Sequence, residues 1–178
     1  MKIFKITMLL IIFLSMFGSA LYAQPTQSKL DEIAKAVKKI NAATLQLETK
    51  RFWYENKCGV NKASITIFYK DHEIQKIVDM GEGDGDKAAL SWSYEYYYAN
   101  GELIFSYESI QYFDNQANRD MQEESRQYFD KDYLIKQIKD GETTYPVNFM
   151  IDSDDLRYEL KKITRSSDID RIYRCPDL

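Results

Sequence analysis

WSYEYYYANGELIFSY, residues 92–107, holds the clearest local instruction in the chain. Asn100-Gly101 is a strong two-residue hairpin signal, because both central positions of that turn need positive φ. With the turn there, Tyr98 is expected to face Leu103, Tyr96 to face Phe105 and Tyr94 to face Tyr107. Strand side chains alternate, so Trp92, Tyr94, Tyr96, Tyr98, Leu103, Phe105 and Tyr107 would share one side. Ser93, Glu95, Tyr97, Ile104, Ser106 and Glu108 would share the other, more polar side. A slip of one residue would exchange the two faces, so the aromatic row should pin the register.

Working outward, the same pattern returns on both flanks. Phe68-Tyr69 with Ile74, Tyr97-Tyr98 with Leu103, and Tyr128-Phe129 with Leu134 repeat an aromatic doublet followed five residues later by an aliphatic residue. Each copy has a polar centre: Asp71-His72, Asn100-Gly101 and Lys131-Asp132. Only the middle centre is a strong turn dipeptide, so the outer two are expected to be weaker copies with longer turns. Three hairpins across residues 64–140 predict an antiparallel meander rather than a solenoid.

A helix is expected to start at Ser28. Ser28 suits a cap, Asp31 and Glu32 suit the positive helix start, and Pro25 blocks extension upstream. Leu30, Ile33, Val37 and Ile40 recur at helical steps. Beyond Asn41, Leu45, Leu47 and Thr49 alternate with polar residues and predict a strand. Asp152 or Ser153 would cap a short helix carrying Leu156, Leu160 and Ile163. The expected fold is α+β: a meander of six or seven strands, an N-terminal amphipathic helix and a short C-terminal helix, with the helices covering one sheet face.

Residues 1–23 read as a signal peptide. Lys2 and Lys5 supply a positive start, Met8 to Phe17 an apolar core, and Gly18 to Ala23 small residues for cleavage after Ala23, or after Ala20. The apolar run is shorter than the roughly 20 residues that span a bilayer. The expected mature chain is one domain, 24–178, without a membrane span, in the periplasm or secreted. Lys2 and Lys5 leave with the segment, so 22 basic side chains would face 28 acidic ones. An oxidising compartment favours a disulfide between Cys58 and Cys175 over two reactive thiols. In the chain-entropy account such a bridge contributes about 4–5 kcal/mol, less any strain.

The whole chain has 178 residues and a net charge of -4, which argues against a nucleic-acid partner needing a basic face. Its aromatic content of 14% argues against disorder. The single histidine excludes a His-rich metal centre and catalysis by paired histidines. His72, between Asp71 and Glu73, reads as an exposed turn residue, since no GxSxG-like element accompanies it. Glu82, Asp84 and Asp86 in the Gly81–Asp86 segment could chelate calcium, but their spacing misses the EF-hand pattern. A connection between hairpins is the simpler reading. Asp152, Asp154 and Asp155 suit a helix start. No cofactor, metal site or catalytic set is expected.

The aromatic row has two readings. Trp92, Tyr94, Tyr96 and Tyr98 form either a surface that stacks on sugars or a partner, or the core side of the sheet beneath helices. YYYANGELIFSYE, with the looser IFYKDHEIQKIV and QYFDKDYLIKQI, resembles exported bacterial proteins bearing tandem YYxxGxL hairpins. It is more distantly similar to MORN-type and antitoxin-like YYxNG repeats. That resemblance implies antiparallel hairpins and an extracytoplasmic location, and it carries no catalytic residues. The leading expectation is a non-enzymatic binding or interaction protein with a protein or glycan partner. The alternatives are a glycan hydrolase using paired carboxylates, or an inhibitor of an extracellular enzyme acting through Gly81–Asp86.

Overall fold

The computed structural model describes residues 25–56, 59–85, 89–146 and 148–173. The expected signal segment, Asp86 and both cysteines, Cys58 and Cys175, lie outside the described residues.

Helix α1 (Gln27–Ala43) is capped by Thr26, two residues before Ser28. The Thr26 hydroxyl accepts from the Lys29 N–H at 3.3 Å. Thr26 stands directly after Pro25, so the capping oxygen is available one turn-start earlier than Ser28 and the helix begins there. Leu30, Ile33 and Ile40 are buried along its inner stripe. A 3-10 turn, Thr44–Gln46, prolongs the helix end and leaves Leu45 fully exposed. The strand expected near Leu45 therefore begins only at Glu48.

Eight strands follow: β1 (Glu48–Tyr54), β2 (Val60–Lys70), β3 (Glu73–Gly83), β4 (Ser91–Ala99), β5 (Glu102–Asp114), β6 (Arg119–Asp130), β7 (Tyr133–Lys139) and β8 (Glu142–Thr144). They form one antiparallel sheet in chain order. The α+β meander is the fold expected, with a strand count slightly above six or seven. A tight turn at Asp140-Gly141 adds the short β8. Two short helices follow among the described residues, α2 (Leu156–Glu159) and α3 (Ser167–Ile172). Asp155, rather than Asp152 or Ser153, caps α2 by accepting from the Arg157 N–H at 2.9 Å.

The repeat is more regular than its sequence. All three turns are two residues long, and all six turn residues have positive φ: 51° and 67° at Asp71-His72, 53° and 81° at Asn100-Gly101, 51° and 66° at Lys131-Asp132. The longer turns expected in the outer copies are absent. His72 and Asp132 occupy the position that Gly101 fills in the middle copy and bear the left-handed backbone that glycine tolerates best.

Each hairpin also carries the same bulge. Tyr98 pairs with Leu103 as expected, but Tyr97 pairs with Phe105, leaving Ile104 as the extra residue. Gln75 and Ile135 are extra in the equivalent places. The expected pairs Tyr96–Phe105 and Tyr94–Tyr107 are thereby replaced by Tyr96–Ser106 and Tyr94–Glu108. Trp92, Tyr94, Tyr96, Tyr98 and Leu103 stay together, whereas Phe105 and Tyr107 pass to the Tyr97 side.

Strand alternation splits each aromatic doublet between the faces. Tyr69, Tyr98 and Phe129 join the core beneath the C-terminal segment, with Ile65, Ile77, Tyr96, Leu160 and Ile169. Phe68, Tyr97 and Tyr128 point the other way, in a row with Lys76, Phe105 and Lys136. Tyr97 packs on Phe105 at 5.6 Å and Phe105 on Tyr128 at 5.0 Å between ring centroids. Helix α1 crosses this second row, where Asn41 meets Lys76 and Tyr97 and Lys29 pairs with Asp130 at 3.0 Å. The helices thus cover opposite faces, not one. Aromatic side chains on both faces each need a cover, and one layer cannot supply two.

Candidate functional site

The four aromatic residues singled out in the sequence lie on the side that carries the C-terminal helices. Tyr96 and Tyr98 are fully buried, and Trp92 and Tyr94 are half-buried against the same core. The Tyr98 hydroxyl donates to the Arg157 carbonyl at 2.6 Å. The Trp92 indole lies across Gly81, where an added Cβ would sit 2.3 Å from the ring. Its Nε1–H donates to Asp79 at 3.0 Å. Tyr173 in the C-terminal segment donates to the other carboxylate oxygen of Asp79.

Asp79 is 1% exposed. Burial pushes its carboxyl above the ordinary range, and the Tyr173 and Trp92 hydrogen bonds only partly oppose that. The Tyr94 hydroxyl is pushed up to about 12, first by burial and then by the charges of Asp79 and Glu108. Burial also raises Glu108, against the pull of Arg157, whose Nε lies 3.6 Å away. This cluster holds the C-terminal segment on the sheet. Its acid lies at the centre, closed to ligands larger than the space its partners leave.

A second fastening occurs at the hairpin turns. The Tyr158 hydroxyl donates to Asp132 and accepts from the Leu103 N–H at 3.2 Å. Lys161 donates to the Gly101 carbonyl at 2.6 Å, with its ammonium 5.1 Å from the Tyr98 ring centre. These groups border an open groove of about 440 Å³. Burial lowers the Lys161 pKa. Every polar group named here already has an internal partner, so the groove reads as a seam.

A different groove, of about 420 Å³, opens on the α1 side of the sheet, at the end away from the repeated turns. Trp53 and Met80 border it and are 52% and 48% exposed. They stand in one register row, Trp53–Ser64–Met80–Ser93, across β1 to β4. Arg51 Cζ and Lys62 Nζ lie 5.8 and 5.6 Å from the Trp53 ring centre. Ala63, Ser64, Gly81, Glu82, Ser91 and Trp92 complete the lining, so Trp92, one of the four aromatic residues marked by the sequence, also borders this groove. Trp53 was not among the residues the sequence marked. The available signal was the β1 alternation, in which buried Phe52 and Tyr54 flank an outward Trp53.

His72 is exposed at its turn. Gly81, Glu82 and Gly83 belong to β3, so the expected loop begins only at Asp84. Among the described residues no three carboxylate, histidine or cysteine groups converge as a metal cluster. No described helix is long and apolar enough to cross a membrane. In comparisons with known proteins, no family model, no curated protein and no solved structure matches this chain.

Proposed function

We propose that this is an exported, non-enzymatic binding protein that works through the open half of its α1-side sheet face. The observation that carries this reading is Trp53, a large aromatic side chain half exposed in a groove beside an exposed Met80. Solvent-facing indoles in concave, partly apolar surroundings are typical anchors of recognition, because they offer large contact area at small entropic cost. The lining includes the small residues Ala63, Ser64, Gly81 and Ser91, which leave room for a ligand. Lys2, Lys5 and the apolar Met8–Phe17 run support an extracytoplasmic place of action.

An array of extracellular glycans and secreted peptides probed with the full chain tests the reading. A discrete ligand should be retained, and Trp53→Ala should weaken it at least ten-fold while leaving the urea midpoint in place. Retention that ignores Trp53→Ala, or no retained ligand at all, refutes it.

A further inference from the structure

We infer that Asn100 is a site of spontaneous deamidation and that the hold of Lys161 on its turn sets the rate. This modification is independent of the binding role proposed above. Asn100 is the only asparagine of the chain followed by glycine. With no Cβ on Gly101, its backbone nitrogen is open to close approach. Both residues are exposed, and a Cβ built on Gly101 meets nothing within 4 Å, so the space that ring closure needs is present. In the reaction the Gly101 nitrogen gives its proton to a solvent base and bonds to the Asn100 side-chain carbonyl carbon. The Cγ–Nδ2 bond breaks and ammonia leaves, closing a five-membered succinimide. Water then opens the ring. Cleavage at Cγ leaves aspartate, and cleavage at the main-chain carbonyl leaves isoaspartate, which adds a methylene to the backbone.

The native turn withholds that reaction. With φ of 53° at Asn100 and 81° at Gly101, the turn is type I′, which sets ψ of its first central residue at about +30°. At that ψ the Gly101 nitrogen lies nearly opposite Cβ across the Asn100 Cα–C bond, out of reach of Cγ. Ring closure needs the two nearly eclipsed, so the turn must first open. The C-terminal segment opposes that opening. Lys161 Nζ donates to the Gly101 carbonyl at 2.6 Å, and its ammonium sits 5.1 and 5.0 Å from the Tyr98 and Tyr158 ring centres. Beside the turn, the Tyr158 hydroxyl accepts from the Leu103 N–H at 3.2 Å. The native rate is then the rate of the open turn multiplied by its population. The Asp140-Gly141 turn is built alike, with φ of 49° and 87°. It closes the same ring only by losing water, so hydrolysis restores its mass, whereas Asn100 leaves a lasting mass change.

Peptide mapping by mass spectrometry of the full chain, incubated at neutral pH, tests this. In urea, Asn100 should deamidate faster than any other asparagine of the chain. In native buffer its rate should be at least ten-fold lower than in urea. Lys161→Ala should raise the native rate about ten-fold, the factor implied by losing one charge-assisted hydrogen bond, and leave the rate in urea unchanged. Lys161→Arg keeps a cationic donor and should restore slow deamidation. Leu30→Ala weakens the packing of α1 on the other side of the sheet and should leave the native rate within two-fold. Equal rates in urea and in native buffer overturn the protection by the turn. A native rate unmoved by Lys161→Ala, or raised as much by Leu30→Ala, overturns the role of Lys161. Faster deamidation of another asparagine in urea overturns the site itself.

Discussion

Asp79 and Tyr173 lie 94 positions apart and share a buried hydrogen bond that ties the third strand to the segment after the last helix. The acid is enclosed by Trp92, Tyr94, Tyr96 and Tyr173, none of which carries a compensating positive charge. Its raised pKa fixes a sign. The native state holds the Asp79 proton more tightly than the unfolded chain, whose value is about 3.9. The stability contributed is fully present below that value and falls as pH rises through the higher native one. Asp79→Asn has no such titration. Urea unfolding between pH 4 and 7 should show Asn gaining on Asp with rising pH, at no more than about 1.4 kcal/mol per pH unit. A difference independent of pH would remove this account.

Gly81 and Gly101 predict two kinds of damage from one substitution. Gly81→Ala drives a methyl group into Trp92 and Ala63, at 2.3 and 2.8 Å, and overpacking of this kind costs about 1–3 kcal/mol. Gly101→Ala meets nothing within 4 Å but must hold φ at 81°, a left-handed strain of about 1–2 kcal/mol. Both variants should lower the urea midpoint. Near-ultraviolet circular dichroism should change for Gly81→Ala alone, because only that variant moves Trp92.

His72→Gly and Asp132→Gly should act with opposite sign, although both relieve a positive φ in equivalent turns. His72 is exposed, so relief of strain, less the greater freedom of glycine when unfolded, should leave a gain of a few tenths to about 1 kcal/mol. Asp132 accepts from Tyr158, and losing that acceptor should outweigh the relief. Paired denaturation curves check this. Stabilisation by both would mean that the Tyr158 contact contributes nothing.

Tyr158→Phe should be costly for its size. The lost hydroxyl serves Asp132 and also accepts from the N–H of Leu103, a fully buried residue. A buried donor left without an acceptor costs about 1–3 kcal/mol. Hydrogen exchange at the Leu103 amide should accelerate in the variant, and unchanged exchange would show that another acceptor has taken over.

The meander was legible because its signals are local. Asn100-Gly101 needs positive φ, and the doublet spacing marked the outer hairpins even where His72 and Asp132 replace glycine. The bulges at Gln75, Ile104 and Ile135 left no such mark. An unpaired residue in a run of Tyr, Ile and Phe has no special composition, so simple alternation misassigned Phe105 and Tyr107. The candidate site was less legible still. The aromatic density at Trp92–Tyr98 drew the reading to one side of the sheet, whereas Trp53 is a single outward aromatic between inward Phe52 and Tyr54.

Residue order alone was sufficient for the turns, the strand alternation and the company kept by Trp92, Tyr94, Tyr96 and Tyr98, because neighbouring positions impose these through backbone geometry. Which side of the sheet received which helix, whether an indole was covered or left open, and where Asp79 lost its water required the folded chain. Burial is a property of what arrives from elsewhere. Tyr173 reaches Asp79 from the far end of the chain, whereas α1 covers Tyr97 and leaves Trp53 half exposed.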